Sequence, residues 1–197
     1  MCTICGLPFP GQGVDHACRA CSERPPRFAR ARARAAYGRD LRCPLIQVLA
    51  RLKYGRDISL APVLAGFLIE QMPMEADHDL IIPVPLHRDR LRWRGFNQSV
   101  PLARAVGKAC GIQVDPLLLG RVRATPPQVG LDAAQRRRNV RGAFVVRRAD
   151  RARGRRVLLV DDVMTTGATA HECARALRAA GATHVDALVL ARALDQT

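Results

Sequence analysis

Lysine is nearly missing from this chain. Of its 32 basic residues only Lys53 and Lys108 are lysines, and 17 acidic residues oppose them, which leaves a formal net charge of +15. The preference for arginine says little by itself, because codon composition shifts it without altering charge. The shortage of acids has no such explanation. A surface of this sign draws polyanions, whether nucleic acid or phosphorylated small molecules. Long apolar runs are also missing: nothing approaches the roughly 20 residues that span a bilayer. The opening "MCTICGLPFPG" has neither the basic start nor the apolar core of a secretion signal. These absences predict a cytoplasmic protein with no membrane insertion. Two phosphate-binding signatures are absent as well. Without G-x-x-x-x-G-K-[ST] the chain is not a P-loop ATPase, and without G-x-G-x-x-G it is not a dinucleotide fold.

What is present begins with four cysteines. "CTIC" and "CRAC" place Cys2, Cys5, Cys18 and Cys21 as two Cys-x-x-Cys knuckles, a spacing that lets four thiolates converge on one tetrahedral ion, the structural zinc pattern. Little else in residues 1–25 can form a core, so metal binding would supply the folding energy of this module. His16, near Cys18, is the alternative ligand. Cys43, Cys110 and Cys173 lie in apolar or helical contexts and read as buried filler.

Residues 26–72 read as a basic linker, "ERPPRFARARARAAYGR", followed by a two-helix hood. Leu41, Leu45, Val48, Leu49 and Leu52 recur at helical spacing up to Gly55, and Ser59 opens a second helix to about Gln71. From residue 73 the rhythm changes to strands alternating with helices. "DLIIPVP" is a buried strand, a helix opened by Asn97 or Ser99 runs to Gly111, and apolar runs at 117–122, 143–146 and 157–160 are further strands. A helix over 168–180 and the strand "HVDALVLAR" follow. The fold class is therefore α/β with a mostly parallel sheet, whose ligands bind beyond the carboxyl ends of its strands. In "HRDRLRWRGFNQS" the alternate arginines Arg88 to Arg94 share one side if the segment is extended and scatter if it is helical.

The most informative stretch is "VLLVDDVMTTGATA", residues 157–170. Asp161 and Asp162 repel each other and need an outside partner. Just beyond them, several backbone amides and the hydroxyls of Thr165, Thr166 and Thr169 converge at the start of a helix, where an anion belongs. Gly167 lets the backbone approach that anion closely. The carboxylates suit vicinal hydroxyls or a metal instead. A phosphate, a diol and a divalent cation together describe a ribose 5-phosphate unit.

This stretch resembles the phosphoribosyl pyrophosphate (PRPP) signature of the type I phosphoribosyltransferases. The four-Cys start, "LARLKYGRD", "IIPVPLHRDRLRWRGFNQS" and "TPPQVGLDAAQRRRNVRGAF" resemble the competence ComF (ComFC) family within that superfamily. The resemblance implies a type I phosphoribosyltransferase core over 73–197, with PRPP as ligand and Mg2+ and Zn2+ as cofactors. Asp161 and Asp162 would hold the ribose hydroxyls, and Met164, Thr165, Thr166, Gly167, Ala168 and Thr169 the 5-phosphate. Leu86, His87 and Arg88 would form the pyrophosphate loop. Arg136 to Arg138, with Arg137 as the catalytic member, would cover the diphosphate from a mobile loop, whose alternative is a solvated segment. The same resemblance implies a role in DNA uptake, with single-stranded DNA and a competence helicase or other DNA-uptake proteins as partners. In that setting Trp93 and Phe96 either stack on bases or pack as core aromatics. The reaction implied is displacement of pyrophosphate by an acceptor that the sequence does not name; the alternative is a DNA-binding protein that keeps the PRPP site as a sensor or relic.

Overall fold

The computed structural model describes residues 1–9, 13–38, 43–72, 77–126 and 132–194. The cysteine knuckles lead into helix α1 (Arg19–Glu23) and strand β1 (Ala31–Tyr37). The hood follows as α2 (Pro44–Tyr54), a 3-10 turn (Ile58–Leu60) and α3 (Ala61–Ile69). Then come β2 (Leu80–Pro83), α4 (Arg88–Arg94), α5 (Ser99–Cys110), β3 (Gln113–Val114) and β4 (Leu119–Arg121). The chain continues through α6 (Ala133–Val140), β5 (Phe144–Val146) and α7 (Ala149–Ala152), and ends with β6 (Arg156–Met164), α8 (Ala168–Ala179) and β7 (His184–Ala193).

Five strands form one sheet in the order β1-β7-β6-β2-β3, with every neighbouring pair parallel. A parallel sheet is covered on both faces, and its middle strands carry long apolar runs. Ile81, Leu158, Val160, Leu188 and Leu190 pack on one side against α2, α3 and α5. Leu80, Ile82, Val157, Leu159 and Val189 pack on the other against α8 and the four cysteines.

The segment expected as a linker holds β1, an edge strand that pairs along β7 from Ala31↔Ala187 to Tyr37↔Ala193. Its "ARARA" has the period of two that a strand requires, but alanine and arginine are weak strand formers, so tertiary pairing supplies what propensity does not. β7, expected as an alternating final strand, is consequently an interior one, and eight of its ten residues are buried. The apolar runs at 117–122 and 143–146 leave the main sheet. There β4 and β5 form a separate antiparallel ribbon, and the short β3 takes the sheet edge. Leu41, expected in the first hood helix, lies outside the described residues.

The cysteine module is seated on the first residue of β1. Ala31 donates its amide to Ile4 O at 2.6 Å, and Gly6, at φ +68°, passes so close that a Cβ there would lie 2.7 Å from Ala31 O. Both the left-handed backbone and the carbonyl exclude a side chain at this position. Gly6→Ala should therefore lower unfolding stability by about 1–3 kcal/mol, read from urea unfolding followed by Trp93 fluorescence. A stability equal to that of the native chain would show that the module is not docked in this way.

Candidate functional site

β6 carries the acids as part of its ladder. Asp161 stands opposite Val189, and pairing continues through Met164↔Arg192 because β7 is long enough to extend it. The expectation that the strand stops before the acids is corrected accordingly. The turn follows at Thr165–Gly167. Gly167 caps α8 at φ +77°, and the Ala168 amide donates to Thr166 Oγ1 at 3.4 Å. α8 then begins with its N-terminal end at the same cleft, lined by Ala168 and Thr169.

The outside partner of the acidic pair comes from the hood. Lys53, in the last turn of α2, brings Nζ to 2.6 Å from Asp162 Oδ2, with side chains only 19% and 7% exposed. Asp161 takes a different set of partners. Its Oδ1 accepts from the Ser99 hydroxyl at 3.0 Å and from the Asp162 amide at 2.9 Å. Burial, followed by the charge of Asp162, pushes the Asp161 carboxyl up to about 7, against the pull of those hydrogen bonds and of Lys53.

These groups floor a cleft of about 330 Å³ beyond the carboxyl ends of β2, β6 and β7. Of the residues expected to hold a ligand, Leu86, Met164, Thr165, Gly167, Ala168 and Thr169 line it beside the two acids, and Thr166 does not. Four arginines line it too: Arg90, Arg94, Arg121 and Arg136. Arg94 is 5% exposed and donates to Gln98 Oε1 at 2.5 Å. Burial lowers the pKa of Arg94 and of Arg121, and the charges of Asp161 and Asp162 act against that at Arg94, as Cys173 and Asp161 do at Arg121. No sequence signal singled out Ser99, Arg94 or Arg121 for this cleft, because each arrives from a distant element.

Other expected residues stand elsewhere. His87 caps α4 by accepting from the Asp89 amide, and Arg88 is exposed on a neighbouring groove with Leu91 and Arg104. Since 88–94 is helical, its arginines scatter, and only Arg90 and Arg94 reach the cleft. Arg137 and Arg138 turn to the opposite side of α6. They line a second cleft, of about 480 Å³, with Arg141, His171, Glu172 and Arg175. Of the three arginines expected over the diphosphate, Arg136 alone faces the acids, because successive helical residues point about 100° apart. Residues 127–131 of the expected mobile loop lie outside the described residues. Asp132 and Gln135 form a reciprocal capping box that starts α6. Trp93 is 68% exposed, edge-on to Tyr54, while Phe96 packs into the hood core.

The four cysteines converge as the spacing predicts: their sulfurs lie within 4.8 Å of one another, all buried. This donor set is compatible with a structural zinc ion. Burial opposes charge on Cys2, but the Cys5 and Cys18 amides, each 3.3 Å from its sulfur, outweigh it and bring the thiol down to about 6. Arg192, 4% exposed, points Nη2 at Cys5 Sγ from 3.5 Å. A tetrathiolate centre carries excess negative charge, and this guanidinium offsets part of it. His16 stacks on Phe9 and lies outside the cluster.

The profile of the Phosphoribosyl transferase domain family matches residues 99–197. The DNA utilization protein YhgH of Escherichia coli O157:H7 is 35% identical, over 98% of this chain and 85% of that protein. Competence protein F of Haemophilus influenzae is 34% identical, over 76% of this chain and 69% of that protein. Among solved structures, adenine phosphoribosyltransferase from Leishmania tarentolae shares 16% identity and a TM-score of 0.43, over 76% of this chain and 74% of that one.

The Asp161 environment fixes a pH dependence. The carboxyl binds its proton more tightly when folded, at about 7, than at its ordinary value of 3.8. Its contribution to stability is therefore complete below pH 4 and is lost as pH rises through 7. Asp161→Asn should remove this loss, so that the variant melts several degrees above the native chain at pH 8 and close to it at pH 4. Parallel melting curves for the two proteins across pH 4–8 would contradict this placement of the carboxyl.

Proposed function

The chain belongs to the ComF (ComFC) family of phosphoribosyltransferase-domain proteins, and on that premise we propose that its cleft binds PRPP and transfers the phosphoribosyl group to a nucleophile, in the service of DNA uptake or utilization. The observation that carries the reading is the convergence, in one cleft, of a helix amide end, two carboxylates and four arginines. The amides from Thr165 to Thr169 hold the 5-phosphate. Asp161 and Asp162 accept hydrogen bonds from the ribose hydroxyls, and Ser99 fixes the orientation of Asp161. Arg90, Arg94, Arg121 and Arg136 face the diphosphate. As the bond from C1 to the diphosphate oxygen breaks and the bond to the nucleophile forms, the arginines take up the charge that develops on the leaving group. The adjoining acids steady the positive, oxocarbenium-like carbon.

The carboxylates are the hard oxygen donors that magnesium takes, and Asp161 is open to such a role, whereas Asp162 is already ion-paired. Bound with the substrate, Mg2+ would add neutralisation of the diphosphate. A zinc ion on the four cysteines serves the architecture. No helix among the described residues is long and apolar enough to cross a membrane, which is in keeping with action in the cytoplasm.

A second reading is favoured by one further observation: the arginines that turn away from the cleft line another one, where Arg137, Arg138, Arg141 and Arg175 surround His171. Exposed guanidiniums in a row suit the backbone of a single-stranded nucleic acid, and the exposed Trp93 offers a base-stacking surface. The names of the relatives, a DNA utilization protein and a competence protein, support a nucleic-acid partner. In this reading the PRPP cleft acts as a sensor and no transfer occurs.

Hydrogen bonds to charged groups contribute roughly 1.5–3 kcal/mol, so Asp161→Asn should weaken PRPP binding about ten- to a hundredfold in calorimetry and leave single-stranded DNA affinity unchanged. Equal PRPP affinity in the two proteins would remove the ribose assignment. Pyrophosphate release, assayed with Mg2+ and a panel of nucleobases, separates transfer from sensing: release with any acceptor supports transfer, and none despite full PRPP binding supports the second reading. For DNA, replacing Arg137 and Arg138 by alanine should flatten the logarithmic salt slope by about 1.4, since each phosphate contact contributes roughly 0.7. An unchanged slope would take the strand off this cleft.

A further inference from the structure

The ion pair between Lys53 and Asp162 has a consequence for the metal requirement of the cleft, given the reading that PRPP binds there. We propose that Lys53 is a built-in counter-cation, balancing the charge of Asp162 where a divalent ion would otherwise stand, so that PRPP binds to this chain without Mg2+.

Three observations carry this. The first is geometry. Lys53 Nζ lies 2.6 Å from Asp162 Oδ2, and neither side chain is more than one-fifth exposed, so this is not a solvated surface contact. The second is the count of charge in the cleft. Among the described residues Lys53, Arg90, Arg94, Arg121 and Arg136 line it with two carboxylates, Asp161 and Asp162, so cationic groups of the chain itself outnumber the acids there. The third is the residue type. Thirty of the 32 basic residues are arginine, yet this position is lysine. An ammonium is a compact point charge with three rotatable donors, whereas a guanidinium is a broad planar fork. Beside two adjacent carboxylates, the compact group comes closer to what a small cation does. It can turn one N–H toward Asp162 and another toward a ligand oxygen.

Lys53 is thus a positioning residue that sets which ions the site needs. Because it sits on α2, the charge that neutralises the floor of the cleft is delivered by the hood. Substrate binding and hood placement then share one contact.

The test is a calorimetric titration of the full chain with PRPP, with and without Mg2+, in metal-free buffer containing no chelator, so that the four-cysteine site is left undisturbed. For the native chain the two affinities should agree within about threefold. Lys53→Met should lose about ten- to a hundredfold in metal-free affinity and regain most of it with Mg2+, and Lys53→Arg should keep more metal-free binding than the Met variant. A native chain that binds PRPP only when Mg2+ is present overturns the proposal, and so does a Met variant whose metal-free affinity is unchanged. The native titration decides the matter by itself if the Met variant does not fold. No PRPP binding under either condition would overturn the reading of the cleft and this inference with it, an outcome distinct from binding that needs the metal.

Discussion

Two consecutive carboxylates near the end of a buried parallel strand are the constraint around which the rest of this molecule is arranged. A charge in such a place is costly unless it is paired, and neither acid can pair with the other. The chain answers with contacts from separate elements: Lys53 from α2 for Asp162, and the Ser99 hydroxyl from α5 for Asp161. Arg94 and Arg121 then come in from α4 and β4, and Arg136 from α6. Elements that share no sequence neighbourhood are brought to one place, and the cationic cleft that results is the chemical identity of the site.

Much of this could be read from the chain. The apolar run of β6, the threonine and glycine turn after it and the amphipathic α8 all follow from local pattern, because each is decided by residues within a few positions. The cysteine cluster is legible for the same reason, since its knuckles are short and nothing else in that segment competes. The failures share a cause as well. β1 alternates, but it alternates alanine with arginine, and only the exposed edge of β7 makes that segment a strand. The runs at 117–122 and 143–146 are apolar enough for a sheet core, but the pairing that takes them into a separate ribbon is a tertiary choice. The partner of Asp162 was invisible because an ion pair leaves no periodic trace. The scarcity of lysine marks position 53 without saying what it touches.

The arginine-rich stretch at 136–141 shows how one residue of phase decides chemistry. Read as a string, three arginines in succession all cover the diphosphate. Wound into α6, Arg136 faces the acids while Arg137 and Arg138 face His171 and Glu172. The buried Glu172 is held by the Gly142 amide at 2.9 Å and by Arg175 at 2.6 Å, which fixes α8 against the chain leaving α6. The two clefts are thereby built on the same pair of helices.

The cysteine module is not an appendage in the mechanical sense. Phe28, which follows it, lies against Gly167 at the phosphate-type turn, where a Cβ would meet the ring at 3.7 Å, and Arg192 links the cysteine cluster to the end of β7. Between module and hood runs β1, hydrogen-bonded along its length to β7. A seam of this kind leaves no joint. The cysteine module cannot swing away from β1 unless the edge of the sheet is unzipped, so a disturbance at the thiols is felt along β1 as a displacement of the sheet border.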